Sequence, residues 1–220
     1  KHSQWHPVSL IKTFTQANRC LWRDGLGGLS LAVTTAFWGA GAVLQFGIFR
    51  WAEQILHLPL SQAAYLQAAV AVGVVLGAAL AAQWVPLERS PRMLPWGVVL
   101  GVLVACTTQV TTVAWALPLL VLTGMAGGLL VVPMNALLQH RGFTLLRSGQ
   151  SIAVQGFNEH LSVLVMLGVY AALLARPVPI VGLLAGFGAR LALGMLVLWM
   201  AYRRYSDVLS PVTAPPRRQV

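Results

Sequence analysis

Acidic side chains are scarce in this sequence. Only five Asp and Glu residues stand among 220, and charged residues of both signs make up 9% of the chain. A soluble globular domain ordinarily carries about 25% charged residues. With 57% hydrophobic residues and a mean hydropathy of +0.73, the composition is typical of a polytopic helical membrane protein. It excludes a soluble enzyme or a soluble binding domain.

Patterns that carry chemistry in enzymes are also missing. The two cysteines, Cys20 and Cys106, lie far apart, so they indicate neither a disulfide framework nor a metal-ligand cluster. The sequence contains no Walker loop, dinucleotide fingerprint, HExxH pair or nucleophile elbow. We therefore expect no catalytic residues, no metal site and no cofactor, in a protein that is not an enzyme.

Basic residues give the chain a net charge of +10, which would suggest nucleic-acid binding in a soluble domain. Here the Lys and Arg residues lie between long apolar runs, where the positive-inside rule explains them. Nucleic acid is therefore not an expected partner.

Six apolar runs have the roughly 20 residues that a helix needs to cross the hydrocarbon. The sequence thus predicts an all-α membrane protein with a six-span bundle over residues 29–202. The predicted spans are residues 29–51, 63–84, 94–114, 116–138, 149–174 and 179–202.

The segments flanking the bundle are polar. Residues 8–23 have the pattern of an amphipathic helix, which residues 24–28 end, so residues 1–28 are interpreted as a cytoplasmic linker with an interfacial helix. Residues 203–220 are predicted to be a disordered, basic cytoplasmic tail. The chain does not begin with Met and opens on a polar, Pro-containing stretch, which is typical of the interior of a longer protein.

The distribution of positive charge predicts the orientation. With six spans, both ends lie on the same side of the membrane. A cytoplasmic N-terminus places twelve Lys and Arg residues in cytoplasmic segments and only Arg50 and Arg176 outside, with Arg190 in mid-span. Both termini are therefore predicted to be cytoplasmic.

The fifth span carries a polar stripe at helical spacing, formed by Ser151, Gln155, Asn158, Glu159 and Ser162. Because a carboxylate is costly in hydrocarbon, we expect Glu159 to face the bundle interior or a watery cavity. The alternative is that the stripe only joins helices through hydrogen bonds. His160 follows Glu159 directly and would point about 100° away, so no Glu–His dyad is expected.

Other polar groups fall at related depths, counted at about 1.5 Å per residue. Together they could line an amphipathic path between the leaflets, with polar groups for a headgroup and apolar walls for a chain. Arg50, toward the outer face, could belong to this path, or its side chain could simply extend to the outer headgroups. The candidate substrate-binding residues are Trp38, Gln45, Asn135, Gln155, Asn158, Glu159 and Arg190.

Glu159 and Arg190 lie at equal predicted depth on consecutive spans. An unpaired charge at that depth is expensive, and pairing in a low dielectric offsets much of the cost. We therefore expect the two side chains to interact directly or through water.

Three short runs carry a family resemblance: residues 37–41 (FWGAG), residues 131–139 (VVPMNALLQ) and residues 152–155 (IAVQ) leading to Glu159. They resemble the bacterial lysophospholipid transporters of the major facilitator superfamily. The resemblance extends over about residues 20–202 and covers the second half of that family's twelve-span pattern. It implies that the bundle corresponds to spans seven to twelve, with Trp38, Asn135, Gln155 and Glu159 at matching positions.

The resemblance also implies an activity and partners. It implies a flippase that moves lysophosphatidylethanolamine and lysophosphatidylglycerol across the bacterial inner membrane for re-acylation. Membrane lipids, the N-terminal six-span half and a lysophospholipid acyltransferase are the implied partners. A drug or metabolite carrier of the same fold, and a structural membrane subunit whose polar stripe binds a partner helix, are the alternatives.

Overall fold

The computed structural model describes the backbone of residues 7–209 and the side chains of residues 9–204. Within these residues the chain forms helices joined by short connections, with no strand. Six helices are long and apolar enough to cross a membrane, which confirms the predicted fold class of an all-α membrane protein. The helices are α1 (Pro7–Arg23), α2 (Gly25–Gln54), α3 (Leu60–Trp84), α4 (Leu94–Thr107), α5 (Val113–Leu145), α6 (Ser148–Leu174) and α7 (Ile180–Leu209).

The connection between the third and fourth spans lies earlier in the chain than the apolar pattern predicts. The prediction extended the third span to residue 114, but α4 ends at Thr107 and α5 begins at Val113. At the end of α4, the hydroxyls of Thr107 and Thr108 donate to the carbonyls of Leu103 and Ala105, at 2.9 and 2.7 Å. The third span regains length at its other end, where a 3-10 helix over Leu87–Met93 leads into α4.

The first span begins at Gly25 rather than at residue 29, because Asp24 starts it. The Asp24 carboxylate accepts a hydrogen bond from the Gly27 amide at 2.7 Å, which caps the free N–H groups of α2. Gly28 faces the carbonyl of Trp22 so closely that a Cβ atom would overlap it. The segment that ends α1 is therefore also the first turn of α2.

Two pairs of spans meet backbone to backbone at glycines. Gly73 and Gly77 of α3 leave no room for a Cβ atom beside the α5 backbone, and Gly124 and Gly128 of α5 do the same toward α3. In α4, Gly101 lies against α7 in the same way. Small residues at four-residue spacing permit such close approach. These glycines therefore serve helix packing.

The residues of the predicted amphipathic helix form α1, and one apolar face of this helix rests on the bundle. Ala17 and Leu21 are buried against Leu31, Leu138 and Val154, where α2, α5 and α6 come together. Leu10 and Ile11, in the first half of α1, remain exposed. Its placement in the membrane interface stays a prediction.

The last helix extends beyond the predicted last span. Helix α7 continues to Leu209, so residues 203–209 of the predicted tail are helical. The remainder of the predicted tail, and residues 1–6 of the predicted linker, lie outside the described residues.

Candidate functional site

A cluster of two amides and one carboxylate joins α5 and α6. The Nε2 atom of Gln155 donates to Asn135 Oδ1 at 2.7 Å and to Glu159 Oε1 at 2.9 Å. All three side chains are half-buried. The structure thus brings together three of the predicted substrate-binding residues.

The helical spacing of α6 positions this cluster. Gln155 and Glu159 are four residues apart, so their side chains lie one above the other on the same face. The Gln155 amide supplies the half-buried Glu159 with a hydrogen bond that replaces one from water. The second carboxylate oxygen and the Asn135 amide nitrogen make no hydrogen bond to another described residue, so both are free to bind a ligand.

Asn158 lies on a different face of α6. Its Nδ2 atom donates to Asn18 Oδ1 and to the Val154 carbonyl, both at 2.8 Å, and its Oδ1 accepts from Trp22 Nε1 at 3.1 Å. The side chain is 9% exposed. Asn158 therefore fastens α1 to α6, and the structure does not bring it into the cluster around Gln155.

An apolar cavity of about 480 Å³ lies between α2, α3, α4 and α5. Trp38, which is 47% exposed, lines it and contacts Phe37 edge to face at 5.9 Å. Gln45 also lines the cavity, and its side chain makes no hydrogen bond to another described residue. The backbone carbonyl of Gln45 accepts a hydrogen bond from Gln67 Nε2 at 2.8 Å. Gln67, which sequence reasoning missed, thus links α2 and α3 beside the cavity.

The cavity and the polar cluster follow one face of α6. Val163 lines the cavity, and Glu159 lies one turn before it on the same helix. Apolar walls therefore continue into a small polar cluster about 6 Å away along the helix axis. This arrangement suits a ligand with an apolar chain and a polar head.

Arg190 lies elsewhere, in a groove of about 780 Å³ between α2, α6 and α7. Its Nη1 atom lies 3.1 Å from the position that a Cβ atom would occupy at Gly186, so the guanidinium extends back over that glycine. Within the described side chains, Glu159 and Arg190 form no ion pair. The expected direct contact is therefore wrong. The two side chains face different spaces, because α6 packs mainly on α2 and α7 on α4.

An ion pair that was not predicted from the sequence joins helices at the end of the bundle near α1. Arg141 Nε donates to Asp24 Oδ2 at 2.8 Å, and Arg141 Nη2 contacts Asp24 Oδ1. The hydrogen bond from Arg141 lowers the pKa of the Asp24 carboxyl below its usual range; burial opposes this, and the Gly27 amide assists it. The available signal was the position of Asp24, one of five acidic residues, directly before an apolar span.

Comparison with known proteins connects this architecture to transporters. No protein-family model matches the chain, and no solved structure does. Proteins named lysophospholipid transporter LplT, from Escherichia coli O127:H6, Escherichia coli O1:K1 and Shigella boydii serotype 4, are each 40% identical to it over 202 residues. The match covers 91% of this chain and 51% of each relative, so the chain spans about half the length of these relatives. The resemblance predicted from the sequence is thus confirmed: about nine-tenths of this chain is related to about half of a bacterial lysophospholipid transporter.

Proposed function

We propose that this chain forms one six-span half of a lysophospholipid transporter. The transporter moves lysophosphatidylethanolamine and lysophosphatidylglycerol across the bacterial inner membrane for re-acylation. The observation that carries the proposal is the 40% identity to lysophospholipid transporters over 91% of the chain.

The geometry supports an amphipathic substrate. A lysophospholipid has one acyl chain and one polar head, which match the apolar cavity beside Trp38 and the cluster of Asn135, Gln155 and Glu159. The free carboxylate oxygen of Glu159 can bind an ammonium group, and the Asn135 amide can donate to a phosphate oxygen. Gln45 adds an uncommitted amide to the cavity wall.

The proposal includes an orientation and partners. The end of the bundle near α1 carries most of the positive charge. By the positive-inside rule, this charge favours the cytoplasmic side for that end and for both termini. A second six-span half completes the substrate path, and transport proceeds by alternating access between the two halves. An acyltransferase on the cytoplasmic side consumes the delivered lysophospholipid.

Uptake of labelled lysophospholipid by proteoliposomes tests the proposal. This chain is reconstituted together with the six-span half that precedes it in the relatives. We expect saturable lysophospholipid uptake that requires both halves. Uptake of soluble drugs or metabolites in place of lysophospholipid would contradict the proposed substrate, and co-purification of the halves without any flux would favour a structural subunit.

A matched pair of variants assigns the uptake to the cluster. Glu159→Gln removes the charge while keeping the shape, and we expect uptake to fall at least about tenfold, equivalent to about 1.4 kcal/mol. Glu88→Gln makes the same chemical change at an exposed glutamate of the 3-10 helix, where we expect no effect. Equal uptake by both variants would remove Glu159 from the substrate path.

A further inference from the structure

A third cavity, of about 400 Å³, lies at the end of the bundle opposite α1. It holds a cation and an anion, Arg50 and Glu53, on the last two turns of α2. Its walls are aromatic and aliphatic side chains from α2, from the connection to α3 and from the end of α6. The other lining residues are Phe46, Phe49, Leu58, Pro59, Leu60, Tyr170 and Leu174.

The two charged side chains are exposed and not paired with each other. Neither forms a hydrogen bond or an ion pair with another described residue. Their order along α2 explains this in part, because an acidic residue placed before a basic residue pairs better on a helix than the reverse order. Both charges therefore remain available to a ligand that carries two opposite charges.

Glu53 in particular lacks a cation. It lies in the last turn of α2, where the helix dipole is negative and a carboxylate is unfavourable. This turn contains no basic residue that would offset the dipole. A bound ammonium group would relieve both the dipole and the unpaired carboxylate.

The cavity adjoins the larger groove that contains Arg190. Tyr170 lines both spaces, and it shares the smaller one with Arg50 and Glu53. The groove beyond Tyr170 is lined mostly by apolar side chains of α2, α6 and α7. A headgroup held at Arg50 and Glu53 therefore has an apolar space beside it in which an acyl chain can lie.

From this arrangement we infer that Arg50 and Glu53 form a reception site for the zwitterionic headgroup of a lysophospholipid. Arg50 binds the phosphate and Glu53 binds the ammonium of a phosphoethanolamine head, while the acyl chain lies past Tyr170. The inference rests on the proposed function and orientation, which place this end of the bundle in the outer leaflet. It adds a site separate from the cluster around Gln155 and gives Glu53 a role in choosing between headgroups.

Uptake of two lysophospholipids by the complete transporter in proteoliposomes tests the inference. Both lipids carry a phosphate group, but only lysophosphatidylethanolamine also carries an ammonium group. For Glu53→Gln we expect the KM for lysophosphatidylethanolamine to rise about tenfold, while uptake of lysophosphatidylglycerol stays unchanged. Glu53→Asp should restore most of the selectivity. For Arg50→Gln we expect uptake of both lipids to weaken.

The normal uptake of lysophosphatidylglycerol by Glu53→Gln shows that the variant is folded. Arg176→Gln, which removes an exposed cation beyond the end of α6 without touching the cavity, should leave both lipids unaffected. An unchanged ratio of the two KM values in Glu53→Gln, or an equal loss for both lipids, would overturn the inference. Absence of uptake of either lipid by the unaltered transporter would instead contradict the proposed function.

Discussion

Asp24 and Arg141, separated by 117 residues in the chain, form a two-point ion pair that fastens the junction of α1 and α2 to the end of α5. The same carboxylate caps α2 through the Gly27 amide. Its side chain is only 15% exposed, so water competes weakly for it. One acidic residue thus holds three helices at this end of the bundle.

Asp24→Asn should separate the two roles of this residue. Asparagine caps a helix as well as aspartate does, but it cannot form the ion pair. We expect a loss of about 1 kcal/mol, seen as a fall of about 2–4 °C in the unfolding temperature in detergent. Asp24→Ala, which also removes the cap, should lose about 1 kcal/mol more. Fully additive losses in Asp24→Asn combined with Arg141→Gln would refute the pairing.

The difference in stability between the unaltered chain and Asp24→Asn should depend on pH, because the pKa of Asp24 is lowered in the folded protein. A carboxyl with a lower pKa in the folded protein contributes stability that is fully present above its unfolded pKa of about 3.9. The contribution is lost as the pH falls through the lower, folded-state value. The unfolding temperatures of the unaltered chain and Asp24→Asn should therefore differ equally from pH 5 to 8 and converge below about pH 4. A difference that varied between pH 6 and 8 would indicate another titrating group.

Asn158→Leu should loosen α1 from the bundle. The substitution removes the hydrogen bonds to Asn18 and Trp22 and leaves their polar atoms without this partner. We expect trypsin to cleave several-fold faster at the exposed Arg19, measured by mass spectrometry of the purified protein. Trp22→Phe, which loses a single hydrogen bond and keeps an aromatic ring, should have a smaller effect. Unchanged cleavage in Asn158→Leu would show that the apolar contacts of α1 suffice.

Glu159→Gln and Arg190→Leu should reduce lysophospholipid uptake independently. The two side chains face different spaces in the structure and form no ion pair. In a double-mutant cycle of initial uptake rates, their free-energy losses should add within about 0.5 kcal/mol. A double variant clearly better than this sum would reveal coupling that the structure lacks, for example through water.

Labelling of single cysteines in intact cells should report the orientation. In a Cys20→Ser, Cys106→Ser background, a cysteine at the exposed Arg176 lies at the proposed outer end, and one at the exposed Arg147 lies at the opposite end. We expect an impermeant thiol reagent to modify the first and spare the second until the cells are opened. The reverse pattern would invert the topology.

The positions of the spans along the chain could be predicted from the sequence, whereas the direction of a side chain around its helix could not always be. Hydropathy located all six spans, since each needs a long apolar run. Counting residues also placed Glu159 and Arg190 at one level. It could not show that α6 packs mainly on α2 whereas α7 packs mainly on α4. This packing decides where the two side chains point.

Asn158 illustrates a different limit. Asn158 and His160 are the two sequence neighbours of Glu159. On a helix each points about 100° away from Glu159, in opposite directions. Spacing alone could therefore have placed Asn158 off the face of Gln155 and Glu159. Its partners on α1 were not predictable, because the sequence indicated an amphipathic helix lying in the membrane interface rather than one packed on α6.

The glycine contacts also determine which parts of this bundle can deform. Where α3 meets α5, and at Gly101 where α4 meets α7, backbone touches backbone with no intervening side chain to change rotamer. Where α2 meets α6, Gly39 instead faces the side chains of Ser162 and Met166, which can rearrange. The bundle thus contains two stiff helix pairs, α3–α5 and α4–α7, and a more compliant seam between α2 and α6. That seam lies beside the cluster of Gln155 and Glu159, so a ligand bound there acts on the part of the bundle that yields most easily.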